Sequence, residues 1–257
     1  MPFLLLYWIY AGLIGLLVGS YLNVVIYRVP RRLSTALPRS RCPACGTPIR
    51  PYDNIPVLSF LWLRGRCRTC GVRFGWRYPA IEALTGSLFV LSAMRFGVSL
   101  DAWVAAVFCA AMVALAAIDV EHFLLPDRIT LPGIAIGLAL QPWLREPGLL
   151  SAALGAAAGA AILTLVWGTW YLVRREHGMG FGDVKMLAMI GAFLGLRSMG
   201  VALFVAVLAG ALVGLALMAI GRFGFRSKLP FGFFLALGAV IALFFGDALS
   251  TAYLGLL

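Results

Sequence analysis

Long apolar runs separated by short polar breaks dominate the chain, and they exceed the buried strands or amphipathic helices of a water-soluble core. A helix needs roughly 20 apolar residues to cross about 30 Å of hydrocarbon. Eight segments approach or exceed that length: 3–27, 79–96, 102–118, 129–145, 149–173, 183–197, 199–220 and 230–254. The spacing predicts an all-α polytopic membrane protein with about eight transmembrane helices. Segment 183–197 is the least regular, being short and carrying Lys185, and it is open to tilting, re-entry or fusion with the next segment around Arg197. Segment 3–27 follows Met1 with neither a basic stretch nor a small-residue cleavage site, so it is expected to be a retained helix rather than a removable signal. The same pattern divides the chain into a first transmembrane helix over 1–27, a polar loop over 28–78 and a block of transmembrane helices over 79–257.

Composition agrees: 62% of residues are hydrophobic, only 12% are charged, and the mean hydropathy is +0.97. Charge adds an orientation, because loops rich in Lys and Arg remain on the cytoplasmic side. Eleven of the 21 basic residues fall between Arg28 and Arg77, where Asp53 is the one acid. With that loop inside and the spans alternating, Arg128, Arg174, Arg175, Lys185, Arg222, Arg226 and Lys228 are inside as well, leaving Arg95, Arg145 and Arg197 outside. Both termini are then expected to be non-cytoplasmic. The overall charge of +11 reads as topology plus attraction to anionic lipid head groups, and eight spans make nucleic acid a poor partner.

The basic loop carries two knuckles, "CPACG" at 42–46 and "CRTCG" at 67–71. Four thiolates from two C-x-x-C pairs can converge tetrahedrally on one soft cation, and Gly46 and Gly71 permit the tight turn after each second cysteine. On a reducing cytoplasmic face structural disulfides are disfavoured, so Cys42, Cys45, Cys67 and Cys70 are read as ligands of a structural zinc ion. Four protein ligands leave no open position for water or substrate. Cys109, alone in an apolar span, is read as a small buried hydrophobe.

An ionisable group at bilayer depth is costly and is a functional candidate by default. Asp119 ends the third span in "ALAAIDVEHFLLPDRIT", and Asp183 opens the sixth in "GMGFGDVKMLAMIGAFLG". In the derived orientation both stand at the same depth on the cytoplasmic side. Two carboxylates held together share a proton, so one can activate a water while the other protonates a carbonyl or a leaving amine. Gly180 and Gly182 remove bulk beside Asp183, which lets the backbone bend and an extended substrate approach. Each acid also has a plainer reading. Asp183 could cap its helix and Asp119 could pair with an arginine. Asp127, after Pro126, is read as an N-cap; Glu121 and His122 are placed in a solvated loop, and His177 is read likewise. Glu82, one turn into the second span, is expected to pair with a loop arginine or a polar helix neighbour.

The order of these parts resembles the type IV prepilin peptidase and N-methyltransferase family, membrane aspartyl proteases of the G-x-G-D type. The resemblance spans nearly the whole chain, through "GSYLNVVIYRVP" (19–30), the paired cysteine knuckles, "YPAIEALTG" (78–86), "IDVEHFLLPD" (118–127), the G-x-G-D segment and "LPFGFFLALG" (229–238). It implies that Asp119 and Asp183 are the catalytic pair. It further implies a multi-pass protein of the bacterial inner membrane that cleaves the short basic leader of prepilins and pseudopilins, after a glycine and usually before phenylalanine. Methylation of the new amino terminus from S-adenosylmethionine follows by the same resemblance. No glycine-rich strand-to-helix cofactor fingerprint occurs, so a site for the methyl donor has to come from the basic loop and adjoining helix ends, with Glu82, Asn23 and Gly65 as candidate neighbours.

Three other classes compete. A transporter could use the acids as a proton relay, although relay acids belong nearer the bilayer midplane within repeated, broken helices. A zinc metalloprotease requires H-E-x-x-H, and the two histidines are 55 residues apart without it. A non-enzymatic assembly platform would tolerate replacement of Asp183 by asparagine, whereas a dyad would not.

Overall fold

Helices account for every element longer than a turn among the residues that the computed structural model describes, 2–175, 180–221 and 228–254. His177, Arg222 and Arg226, and the first two residues of the G-x-G-D segment quoted above, lie outside the described residues. The α-helices are α1 (Pro2–Arg28), α2 (Leu58–Trp62), α3 (Arg77–Phe96), α4 (Leu100–His122), α5 (Asp127–Leu140), α6 (Leu149–Arg174), α7 (Phe181–Ala219) and α8 (Phe231–Leu254). Five of them, α1, α4, α6, α7 and α8, are long and apolar enough to cross a membrane by themselves. Large apolar side chains such as Phe3, Leu6, Leu17, Leu165, Phe204 and Leu215 face outward along these helices, as expected where lipid rather than water is the solvent.

All eight predicted spans fall on helix, with two departures in detail. The fourth is helical over only 14 residues and continues through a 3-10 turn at Gln141–Trp143; at 1.5 Å per residue the α-helical part is too short to cross alone. The sixth and seventh are parts of one 39-residue element, broken where Gly195 adopts φ 74° and ψ 177°. A side chain there would meet Pro147 and Ser151 at 2.6 Å, so a left-handed backbone and a close approach both require glycine.

The chain forms two compact units, Met1–Ala114 and Leu115–Leu257. In the first, α1 lies against α3 through small residues: a Cβ on Gly15 would fall 2.8 Å from Gly86 Cα, and one on Gly19 would fall 2.7 Å from Glu82 Cα. Close backbone approach through glycine is the usual means of helix association in lipid, where apolar burial supplies little drive. Trp103 then collects Tyr7, Tyr10 and Phe89 in edge-on contacts. In the second unit α7 is central, packing on α5, α6 and α8, with Gly191 against the Gly155 backbone and Gly238 against the Ala202 carbonyl. Cys109 is fully buried in α4, as read from the sequence.

Candidate functional site

Asp119 and Asp183 both belong to the second unit, and both are buried, at 6% and 7% exposure. Asp119 stands one turn before the end of α4; Asp183 stands in the first turn of α7. Asp183 lies close enough to Asp119 to feel its charge. Asp183 is not the N-cap: Gly180 is, and the Asp183 carboxylate reaches back to accept the Gly180 backbone N–H, which is the returning arm of a capping box. Among the described residues no ion pair joins either aspartate to a cationic side chain, the arginine partner considered for Asp119 included.

Asp119 is held by a helix start instead. Its Oδ2 accepts the Phe233 backbone N–H at 3.1 Å, and the Gly232 N–H points to the same carboxylate. Gly232 and Phe233 are the second and third residues of α8, whose first N–H groups have no partner within the helix and carry its positive end. A side chain on Gly232 would sit 2.9 Å from Asp119 Oδ2 and 3.0 Å from Leu125. Leu125, itself buried, also lies against Gly182, where a Cβ would come within 2.8 Å of it. One leucine thus wedges between the α7 start that carries Asp183 and the α8 start that holds Asp119. The room expected at Gly182 for a substrate is taken by Leu125, whereas a Cβ on Gly180 would make only ordinary contacts among the described residues, the nearest being Asp183 Oδ2 at 3.8 Å. Phe233 and Leu125 were missed by residue chemistry, because a backbone N–H and a methyl wedge leave no chemical signature; the "LPFGFF" string was the available signal.

The neighbouring acids correct the sequence reading. Asp127 is the first residue of α5, not its cap: Pro126 takes that place, and the Asp127 carboxylate binds Lys185 Nζ at 2.5 Å. Lys185 also lies over the Phe181 ring, so its ammonium is engaged by Asp127 and an aromatic face. Glu121 and His122 are in the last turn of α4 rather than in a loop; a helix continues as long as its carbonyls find partners, and the Phe123 N–H closes on Asp119 O at 2.8 Å.

The four cysteine sulfurs of the first unit lie within 4.8 Å of one another. Cys42 and Cys70 are 3.8 Å apart, and Cys45 and Cys67 are 4.0 Å apart. A tetrahedron with metal–sulfur bonds of about 2.3 Å has edges near 3.8 Å, so the donor set fits a zinc-sized ion. The knuckles are built alike. In each, the glycine (Gly46, Gly71; φ 69° and 72°) returns its N–H to the first cysteine's carbonyl, while that cysteine's N–H binds the carbonyl of Thr47 or Val72. Hydrogen bonds from the hydroxyl and then the backbone of Thr47 bring the Cys45 thiol down to about 6. Backbone N–H groups of Cys70 and Thr69 lower Cys67 as well. Asp53 grips Arg68 with both oxygens, at 2.6 to 3.1 Å, which ties the Pro51–Asn54 turn to the second knuckle and holds Asp53 below the usual carboxylate range.

Glu82, Asn23 and Gly65 line one cavity of about 470 Å³ in the same unit. Glu82 is buried; it accepts the Val57 N–H at 2.8 Å and the Ser20 hydroxyl, so the polar neighbour is present and the loop arginine is not. Asn23 donates to the carbonyls of Gly19 and Tyr78, but its own Oδ1 is buried without a partner, a state that costs about 1–3 kcal/mol if nothing fills it. Gly65 (φ 65°) packs under the Phe60 ring.

Two family models match successive parts of the chain. Residues 13–96 match the family model of the bacterial peptidase A24 N-terminal domain, and residues 106–215 match that of the type IV leader peptidase family. A protein of Burkholderia pseudomallei (strain 1026b) named prepilin leader peptidase/N-methyltransferase is 40% identical over 262 residues, covering 92% of this chain and 85% of the relative. Proteins of the same name from Myxococcus xanthus (strain DK1622) and Bacillus subtilis (strain 168) are 44% and 37% identical, covering 87% and 93% of this chain and 67% and 95% of those relatives. No solved structure matches the chain.

Proposed function

Because this chain belongs to the prepilin leader peptidase/N-methyltransferase family, we propose that it removes the leader of type IV prepilins and pseudopilins with Asp119 and Asp183 and then methylates the new amino terminus. The observation that carries the peptidase half is the buried pair itself: two carboxylates in electrostatic contact, neither neutralised by a cationic side chain among the described residues. Such a pair holds one proton between its members. The ionised member takes a proton from water as it attacks the scissile carbonyl, and the protonated member donates to the carbonyl oxygen and later to the leaving amine. The backbone N–H groups of Gly232 and Phe233 keep Asp119 oriented through the cycle. The small Gly180, whose nearest described neighbour is Asp183 Oδ2 at 3.8 Å from a Cβ position, would let the extended leader come close to Asp183.

The protein is proposed to be multi-pass in the bacterial inner membrane, with the dyad at the cytoplasmic face, where a charged leader meets the apolar helix that follows it. The four-cysteine cluster is proposed to hold zinc, which would supply structure and no chemistry. The cavity lined by Asn23, Gly65 and Glu82 is proposed as the methyl-transfer site, with S-adenosylmethionine as donor. A proton-relay transporter is not favoured, since every relative named above is a peptidase and methyltransferase.

The test is purified protein incubated with a prepilin and the methyl donor, followed by mass analysis. Loss of the leader and gain of one methyl group are separate signals, and absence of leader loss would end the peptidase reading. Asp183→Asn should abolish the first signal with the fold intact.

A further inference from the structure

We propose that Asn23 and Glu82 form the amine site of methyl transfer, receiving the newly exposed α-amino group of the cleaved substrate, with Glu82 taking its proton. This rests on the methyltransferase reading above and assigns roles within that site. The two residues come from different helices, α1 and α3, and line the same cavity. Both are more than nine-tenths buried. The Asn23 amide orientation is fixed by chemistry, because its NH₂ faces two carbonyls, Gly19 O at 3.4 Å and Tyr78 O at 3.2 Å. Turning it over would set oxygen against two oxygens. Its Oδ1 is therefore an acceptor awaiting a donor.

Glu82, unlike that oxygen, is already partnered but keeps acceptor capacity. It has two donors, the Val57 N–H and the Ser20 hydroxyl, and a carboxylate can accept more. Two of the basic side chains that line the same cavity are engaged elsewhere: Arg28 donates to the carbonyls of Ser34 and Pro38, and Arg68 is held by Asp53; no ion pair joins any of the lining arginines to Glu82 among the described residues. A loop so rich in arginine leaves one buried carboxylate and one amide oxygen for an incoming group that is all donor. An α-ammonium is such a group. An uncleaved peptide bond offers one uncharged N–H in its place, so the site distinguishes cleaved from uncleaved substrate and places methylation after cleavage.

The chemistry balances. The α-ammonium passes one proton to Glu82, and the freed nitrogen lone pair forms a bond to the methyl carbon of a sulfonium donor. The carbon–sulfur bond breaks with its electron pair going to sulfur, leaving a neutral thioether. The product is a secondary ammonium, and Glu82 returns its proton to water.

The experiment measures binding of a short peptide beginning with a free-amine phenylalanine, and of its N-acetylated form, to detergent-solubilised full-length protein without donor. The unsubstituted protein should prefer the free amine by about tenfold or more, from charge-assisted hydrogen bonds. Glu82→Gln and Asn23→Leu should each erase most of that preference. Glu82→Gln should also slow methylation of the pre-cleaved peptide by about 100-fold or more at saturating donor, the usual loss with a general base. Retention of preference and rate in Glu82→Gln overturns the proposal. So does a fall in affinity for S-adenosylmethionine with amine preference intact, which would assign the pair to the donor's own ammonium. If Glu82→Gln has lost leader cleavage as well, Asn23→Leu decides: persistence of the preference overturns the proposal, and its loss with cleavage intact supports it. An unsubstituted protein that cleaves but never methylates would instead sink the methyltransferase reading on which the proposal stands.

Discussion

Asp119 Oδ2 accepts the backbone N–H of Phe233 across 114 residues of sequence, at 3.1 Å, so the start of one helix orients a carboxylate near the end of another. The orientation depends on Gly232, which has no room for a side chain. Gly232→Ala should therefore cut leader cleavage by about 10- to 100-fold through misplacement alone, with methylation of a pre-cleaved peptide unchanged. Parallel assays of the two reactions on one preparation would check this.

If the dyad acts as a unit, its members are not additive. Asp119→Asn and Asp183→Asn should each lower the cleavage rate by more than about 10³-fold, and the double variant should be little worse than either single one. Single-turnover cleavage of a prepilin peptide, read by mass, distinguishes this from two independent contributions.

Leu125 between Gly182 and Gly232 makes a compensation possible. Gly182→Ala brings a methyl group to within 2.8 Å of Leu125 Cβ and should reduce cleavage. Adding Leu125→Ala, which vacates that space, should recover part of the loss, although its own cavity costs about 2–5 kcal/mol of stability. No recovery, with the double variant still folded by thermal melt, would mean that Gly182 serves something other than this contact.

The purified protein should carry close to one zinc per chain, read by elemental analysis, and each Cys→Ser change at 42, 45, 67 or 70 should lower it. Chelation should make residues between Arg28 and Arg77 more susceptible to protease. In metal-stripped protein, Cys45 is the thiol brought down to about 6, so it is a thiolate above that pH and a thiol below it. Its alkylation should remain fast from pH 8 to about 7 and fall off near pH 6, whereas an ordinary cysteine loses reactivity below about 8.5. Because the metal needs that thiolate, proton competition should begin to weaken metal affinity as pH falls below about 6.

The Lys185–Asp127 pair spans 58 residues and is partly exposed, its side chains being 23% and 57% accessible. A double-mutant cycle with Lys185→Gln and Asp127→Asn should give a coupling of no more than about 1 kcal/mol. Cleavage should stay within about threefold, because a rim ion pair at the α7 start mainly sets where the lysine points.

Helix content, span positions, the metal knuckles and the two aspartates were legible in the chain, because each is written in local terms. A hydrocarbon crossing needs a continuous apolar run, a C-x-x-C-G knuckle closes within five residues, and an acid beside lipid stands out by its cost. What holds those groups was not legible. Asp127 reads as a cap until Lys185, far along the chain, takes it; Asp119 reads as an arginine partner until the N–H groups of α8 reach it. Asn23 shows its unpaired oxygen only once Tyr78 has occupied its other end. Backbone donors carry no residue-type signature, and every polar group in a low-dielectric interior takes whichever partner packing brings within 3 Å. Chemical identity is thus local, whereas orientation and pairing arise only when distant helices close on one another.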